Sequence, residues 1–161
     1  PLGAAIASKK VADSFIGDEN RTFKHLITFG GHPVASAAGI ANLEIFERED
    51  LPGRSEKAGK RLLERLESLY SHPSVGDVRG MGLLAAVELV GDRKTKSEFP
   101  AAAGLATKIP KILWDRKIVT FRAGNVISLC PPLIITDDEI DFLVDALDEG
   151  IGEVEADLGI K

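Results

Sequence analysis

Thr28-Phe29-Gly30-Gly31-His32-Pro33-Val34-Ala35 runs directly into Ser36-Ala37-Ala38-Gly39. Two glycines give the backbone access to positive φ and leave room for close approach. Pro33 suits the first turn of a helix, where its missing N–H has no partner to lose. The stretch therefore reads as a tight turn delivering the chain into a helix with little side-chain bulk at its start. Such a start presents free N–H groups and the positive end of the helix dipole, which suit an anion. The same residues also suit a closely packed interior helix behind an ordinary loop, and composition does not separate the two.

Working outward, Val34, Ala38, Ala41 and Ile45 recur at helical spacing, so a helix is predicted over 33–49. Upstream, the polar stretch 17–27 reads as a loop. Ser8 can cap a short helix over 9–16, and the small apolar residues 2–7 read as a strand. Downstream, Leu51-Pro52-Gly53 reads as a break. A second helix then opens at Arg54 or Ser55 and runs to about Tyr70, with Ala58, Leu62, Leu66 and Leu69 on its apolar face. Gly80-Met81-Gly82-Leu83-Leu84-Ala85 fits the dinucleotide fingerprint, which needs a strand before it and a helix after it. Residues 83–90 are instead β-rich and stop at Gly91, so the region reads as two strands around a glycine kink or bulge. Arg79 beside it suits a structural ion pair, or else a carboxylate anchor.

Residues 101–117 are predicted helical, with Pro110 kinking or dividing them and Ile109, Leu113 and Trp114 buried. Residues 118–121 and 126–129 read as a hairpin turned at 123–125. Thr136-Asp137-Asp138-Glu139 has the form of a capping box. It opens a last helix whose apolar stripe is Ile140, Leu143, Leu147, Ile151 and Val154.

The 161 residues are 44% apolar, enough for a core, and carry a net charge of −5. The acidic excess falls after Arg122, where Lys161 is the only cation, and reads as the solvated face of a helix. The chain has no basic stripe interleaved with aromatics, which argues against nucleic acid as a partner. No run reaches the ~18 apolar residues of a membrane span, and no signal peptide is evident. The single cysteine, Cys130, is expected reduced in a strand, and the location is expected to be cytoplasmic. His25 and His32 lack carboxylate or thiol companions at ligand spacing, so no metal site is expected. Ser36 has no evident base to make it a nucleophile. The chain starts at Pro1 and its one methionine is Met81, so a processed chain or a fragment is expected.

Thr28–Ala35 resembles the T-[YF]-x-G-H-P-V-A signature of class III aminotransferases, enzymes dependent on pyridoxal 5'-phosphate (PLP). Pro1-Leu2-Gly3-Ala4 resembles the segment after that family's Schiff-base lysine. Val78-Arg79-Gly80-Met81-Gly82-Leu83 resembles the entry to its small domain. Leu129–Thr136, with its Pro131-Pro132 pair, resembles its closing strand and helix start.

The resemblance implies an α/β fold, the C-terminal part of a fold-type I PLP-dependent transferase. Residues 1–50 would end the large PLP-binding domain and 51–161 would form the small α/β domain. It implies that Thr28 and Phe29 are cofactor-binding, with Thr28 reaching across a homodimer to the neighbouring subunit's PLP phosphate. It implies that Arg122 binds the substrate carboxylate, a surface or interface ion pair being the alternative. The catalytic lysine would lie upstream of Pro1. Lys9 and Lys10 read as solvated surface, so no catalytic residue is assigned in this chain. The implied activity is amino-group transfer from small-molecule amines to keto acids such as pyruvate, performed by a longer chain. A non-catalytic α/β oligomerisation module, or an aminomutase or decarboxylase on the same scaffold, are the alternatives.

Overall fold

The structure, a computed structural model, describes residues 2–160, apart from the side chains of Arg122 and Ala123. It comprises two units, Pro1–Glu49 and Asp50–Lys161.

In the first unit, Ser8 caps helix α1 (Lys9–Asp13) by accepting the Val11 N–H at 3.4 Å. Residues 2–7, expected as a strand, form none. A strand needs a hydrogen-bonded neighbour, and none pairs with them among the described residues. Helix α2 (Pro33–Arg48) takes up the predicted span. Its apolar stripe is not covered: Val34, Ala38, Ala41 and Ile45 are all exposed, as are Ile40 and Leu43 off the stripe, and no described residue of this unit is buried.

The second unit begins with helix α3 (Leu51–Glu67), which continues into a 3₁₀ turn (Ser68–Ser71). Leu51-Pro52-Gly53 is the first turn of this helix rather than a break. Asp50 takes the left-handed conformation (φ 45°) and its carboxylate accepts the Gly53 N–H at 3.3 Å. Asp tolerates that conformation, and proline costs nothing where no intrahelical bond is due.

The sheet has four antiparallel strands: β1 (Val75–Met81), β2 (Leu84–Leu89), β3 (Phe121–Ala123) and β4 (Val126–Leu129), ordered β1-β2-β4-β3. The register between β1 and β2 slips at Gly76, a bulge close to Val90. In β2, the buried Ala85, Val87 and Leu89 alternate with the more exposed Leu84, Ala86 and Glu88. One sheet face is therefore packed. Helix α3 lies on it, and helix α5 (Asp137–Leu158) packs against both α3 and helix α4 (Leu105–Asp115). Leu62, Leu66 and Leu69 meet Ile140, Leu147 and Val154 in one core.

The glycine pair at Gly80–Gly82 serves packing. Gly82 turns the β1–β2 hairpin at φ 55°, and a Cβ on Gly59 of α3 would collide with the Gly82 backbone. The Ser55 hydroxyl accepts the Leu83 N–H at 3.3 Å, fastening helix to turn. The turn leads into a strand, not a helix, so the dinucleotide pattern lacks its context.

The α4 region departs from expectation in its buried face and in where it is divided. Trp114 is exposed, and Ile112 is buried in its place. Nine residues on from the buried Leu105, about two and a half turns, Trp114 falls on the opposite side of the helix. Pro110 does not divide α4; the division lies at Gly104 (φ 67°), between a 3₁₀ turn (Ala101–Ala103) and the helix. The strand expected from Ile118 starts at Phe121 instead. Lys117 sits at φ 66° and donates to the Trp114 carbonyl, while Ile118 donates to Leu113. These two bonds are those of a Schellman cap, so the residues close α4 rather than open a strand.

Helix α5 carries the predicted stripe, buried at all five positions, and the capping box forms: Glu139 N–H to Thr136 Oγ1 at 3.3 Å, Thr136 N–H to Glu139 Oε2 at 2.8 Å. Its acidic residues mostly keep to an exposed face, as expected, but many of them are ion-paired. Asp141 and Asp145 pair with Arg61 and Arg65 of α3, Glu149 and Glu153 with Arg116, and Asp157 with Lys108. Cys130 is a free, exposed thiol one residue beyond β4, not inside it.

Candidate functional site

The glycine-bracketed segment folds as two overlapping turns. Gly30 N–H donates to the Ile27 carbonyl at 3.0 Å and His32 N–H to the Phe29 carbonyl at 3.2 Å. Gly31 takes φ 69°, the conformation for which glycine is needed. This geometry leaves Thr28 and Phe29 at the surface, Phe29 78% exposed. The His32 ring folds back on Phe29, with centroids 6.5 Å apart. Among the described residues the Thr28 hydroxyl has no hydrogen-bond partner.

Helix α2 then starts without a side-chain cap, because His32 in the capping position makes no cap bond. Ser36 is the first residue to donate back, to the His32 carbonyl at 2.9 Å. Pro33 has no N–H, so Val34 and Ala35 are left with amides that bond nothing among the described residues. A free hydroxyl and unpaired amides at the positive end of a 16-residue helix are the donor set an anion takes.

The other predicted positions lie elsewhere. Arg122 is in β3 of the second unit, its backbone paired with Ile127; its side chain lies outside the described residues, as does Pro1. Lys9 is on the surface, 2.6 Å from Asp13, and Lys10 is exposed too; none of the described lysines is buried. A Schiff-base lysine needs a desolvated setting, which the described surroundings of Lys9 and Lys10 do not supply. Arg79 is held between Asp77 and Glu88, both at 2.6 Å, which is the structural ion pair expected of it. Among the described residues no cluster of His, Cys, Asp or Glu could hold a metal, and no helix is long and apolar enough to cross a membrane.

A groove of about 730 Å³ in the second unit was not legible as a groove in the sequence. Phe121, Cys130, Ile134 and Phe142 are among its walls, and Thr120 within it donates to the Ser128 carbonyl. Its lining comes from three separated stretches, and only the middle one, which overlaps Leu129–Thr136, carries a pattern noted in the sequence.

Comparison with known proteins agrees with the turn. The family profile described as "Aminotransferase class-III" matches residues 1–151. The chain belongs to the class-III aminotransferase family. It is 41% identical over 156 residues to adenosylmethionine-8-amino-7-oxononanoate aminotransferase of Geobacter sulfurreducens, covering 96% of this chain and 34% of that protein. It is 38% identical over 169 residues to taurine–pyruvate aminotransferase of Bilophila wadsworthia, covering 99% of this chain and 37% of that one. The chain thus spans about a third of the length of these relatives. Among solved structures, a thermostable (S)-enantioselective omega-transaminase from Thermomicrobium roseum superposes with a TM-score of 0.83 at 34% identity, over 91% of this chain and 33% of that one. An omega-transaminase from Pseudomonas jessenii, solved in complex with PMP, gives a TM-score of 0.80 at 34% identity, over 85% and 30%. The α/β fold of this chain is that of part of a transaminase.

Proposed function

We propose that this chain is the C-terminal third of a PLP-dependent class-III aminotransferase that moves an amino group from a small amine to a keto acid such as pyruvate. Residues 1–50 are the end of the cofactor-binding domain and 51–161 the small domain. The observation that carries the reading is the surface turn at Thr28, with its unpaired hydroxyl and the open start of α2. The names of the relatives support it, since both transfer amino groups and one uses pyruvate.

Bound PLP supplies the electron-withdrawing conjugated ring that carries the amino group. The residues of this chain hold and orient. The Thr28 hydroxyl would donate to a phosphate oxygen of the cofactor, at a site shared between the two subunits of a cytoplasmic homodimer. Phe29 borders the cofactor or lines the pocket mouth. Arg122 would bind the substrate carboxylate, a role that suits arginine because a planar guanidinium can clamp a carboxylate in two parallel hydrogen bonds. The lysine and the carboxylate that meets the ring nitrogen belong to residues preceding this chain. Two copies meeting over the first unit also give its uncovered apolar side chains a partner.

The test is Thr28→Ala in the whole enzyme. Loss of one hydrogen bond to a charged phosphate costs about 1.5–3 kcal/mol, roughly a ten- to hundredfold weaker retention of PLP on dialysis. Unchanged retention overturns the role. Arg122→Ala is expected to raise KM for carboxylate-bearing substrates and leave simple amines unaffected; an equal loss on both makes the residue structural.

A further inference from the structure

His72 takes no part in the proposed reaction, yet it is the most tightly partnered histidine of the chain. It ends the 3₁₀ turn after α3, and its side chain is only 14% exposed. Its Nδ1 lies 2.8 Å from Glu155 Oε2 and its Nε2 lies 3.0 Å from Asp148 Oδ1. The two carboxylates stand seven residues apart on α5, two turns along one face. The other Glu155 oxygen accepts the buried Ser74 N–H at 2.9 Å. Glu155 is itself 7% exposed, on a helix whose other buried residues are apolar or glycine.

A neutral imidazole has one N–H and one bare nitrogen. Here a bare nitrogen would face a carboxylate oxygen at hydrogen-bond distance, lone pair against lone pair. Both positions are satisfied only when both nitrogens donate.

We propose that His72 is a proton-operated clamp: as an imidazolium it fastens the C-terminal turns of α5 to the segment entering β1, and on losing its proton it lets one of the two carboxylates go. Asp148, the more exposed partner, is the one released, while Glu155 keeps its bond from Ser74.

The groups around the ring are few. From α5 come the two carboxylates, with Gly152 against the ring. From the loop after β2 comes one cation, Arg93, whose guanidinium is tied to the backbone carbonyls of Tyr70, His72 and Val75. From the 3₁₀ turn comes Tyr70, whose hydroxyl accepts the Val78 N–H at 2.9 Å. Two anions outnumber one cation that is already committed. Burial works against the ring's charge, but the bonds to Glu155 and Asp148 outweigh it and hold His72 above the ordinary histidine range. A raised folded value means the clamp's contribution is complete below the unfolded titration point and is lost as pH rises through the folded one.

The experiment is an NMR titration of the ring nitrogens in the 161-residue chain, assigned with His25→Gln and His32→Gln. Amide exchange of Ile151–Glu155 is followed beside it. Both His72 nitrogens are expected protonated at neutral pH. Protection of these amides is expected to fall as pH passes the folded midpoint, about tenfold for each unit by which that midpoint exceeds the unfolded one. His72→Gln is expected to remove this pH dependence, and Asp148→Asn, a milder change, to lower the His72 midpoint. A singly protonated ring at neutral pH overturns the proposal. So does an unmoved midpoint in Asp148→Asn, which decides the matter even if His72→Gln fails to fold.

Discussion

Helices α2 and α3 have nearly the same length, 16 and 17 residues, and both carry proline in the first turn. Both show apolar residues at helical spacing. Yet α3 buries Leu62 and Leu66 completely, and α2 buries nothing. The difference lies in what the chain supplies to cover each stripe. The sheet and α5 come after α3 in sequence and close over it. An apolar stripe announces that something packs on it and not where that partner is encoded. For α2, a matching surface is not among the described residues of its own unit.

The comparison breaks most readily at the level of whole segments. A fragment comprising residues 50–161 holds every buried core residue, from Leu51 to Val154, and is expected to unfold cooperatively in urea. A fragment of residues 1–49 is expected to show no cooperative transition, since nothing described in it is buried. A sharp transition in the second fragment would mean that α2 finds a core of its own.

A pair of substitutions sharpens the point within the intact chain. Leu147→Ala, at a site with no exposure, is expected to cost about 2–5 kcal/mol in a denaturant melt of the second unit. Leu43→Ala, at an exposed site in α2, is expected to stay within about 0.5 kcal/mol in the same melt. In the full-length enzyme Leu43→Ala should instead weaken subunit association, read by sedimentation at decreasing concentration. No change there would mean that Leu43 faces solvent in the assembly as well.

Much of the second unit could be read from order along the chain. The α5 stripe, its capping box and the hairpin at Gly124-Asn125 are local patterns, each set by residues within a turn or two of one another. The misreadings share a different cause. The acidic run of α5 is mostly solvated, as read, but its ion pairs were hidden because its partners Arg61, Arg65 and Arg116 stand far upstream or on another helix, brought close only by helix packing. Ile118 looked like the start of a strand because a Schellman cap normally announces itself with glycine, and Lys117 stands in that place. The Thr28 turn was legible in shape, from Gly31 and Pro33, whereas the phosphate it is proposed to meet has no trace in composition. The groove beside Cys130 was not legible as a groove, because the motif at Leu129–Thr136 forms only part of its wall and the rest is brought in by folding.

Gly59 offers a smaller effect and a sharper question, because two terms of opposite sign meet there. Replacing a helix-interior glycine by alanine ordinarily gains about 0.5–1 kcal/mol through reduced backbone freedom. Here the new methyl would meet the Gly82 backbone, which cannot rotate aside as a flexible side chain could. Overpacking of that kind costs about 1–3 kcal/mol. Gly59→Ala is therefore expected to destabilise the second unit, measured as a lower urea midpoint with an unchanged slope. A stabilised variant would mean that the β1–β2 turn yields to the helix.

The smallest effect expected lies at the acid end of the pH scale. Asp141 accepts from Arg65 Nε at 3.0 Å and from Arg61 Nη2 at 2.6 Å. The Arg65 bond foremost, with that of Arg61 and against some desolvation, holds its carboxyl below the usual range. A depressed carboxyl contributes stability above its unfolded value, about 3.9, and loses it as pH falls through the folded value. The second unit is thus expected to lose stability below about pH 4, and Arg65→Gln to flatten that slope. The pairs are largely exposed to water, so the effect is modest and shrinks further in salt. An acid slope indifferent to Arg65 would place the pH response elsewhere on α5, with the capping carboxylate of Glu139, also held low by its Thr136 bonds, as the next group to test.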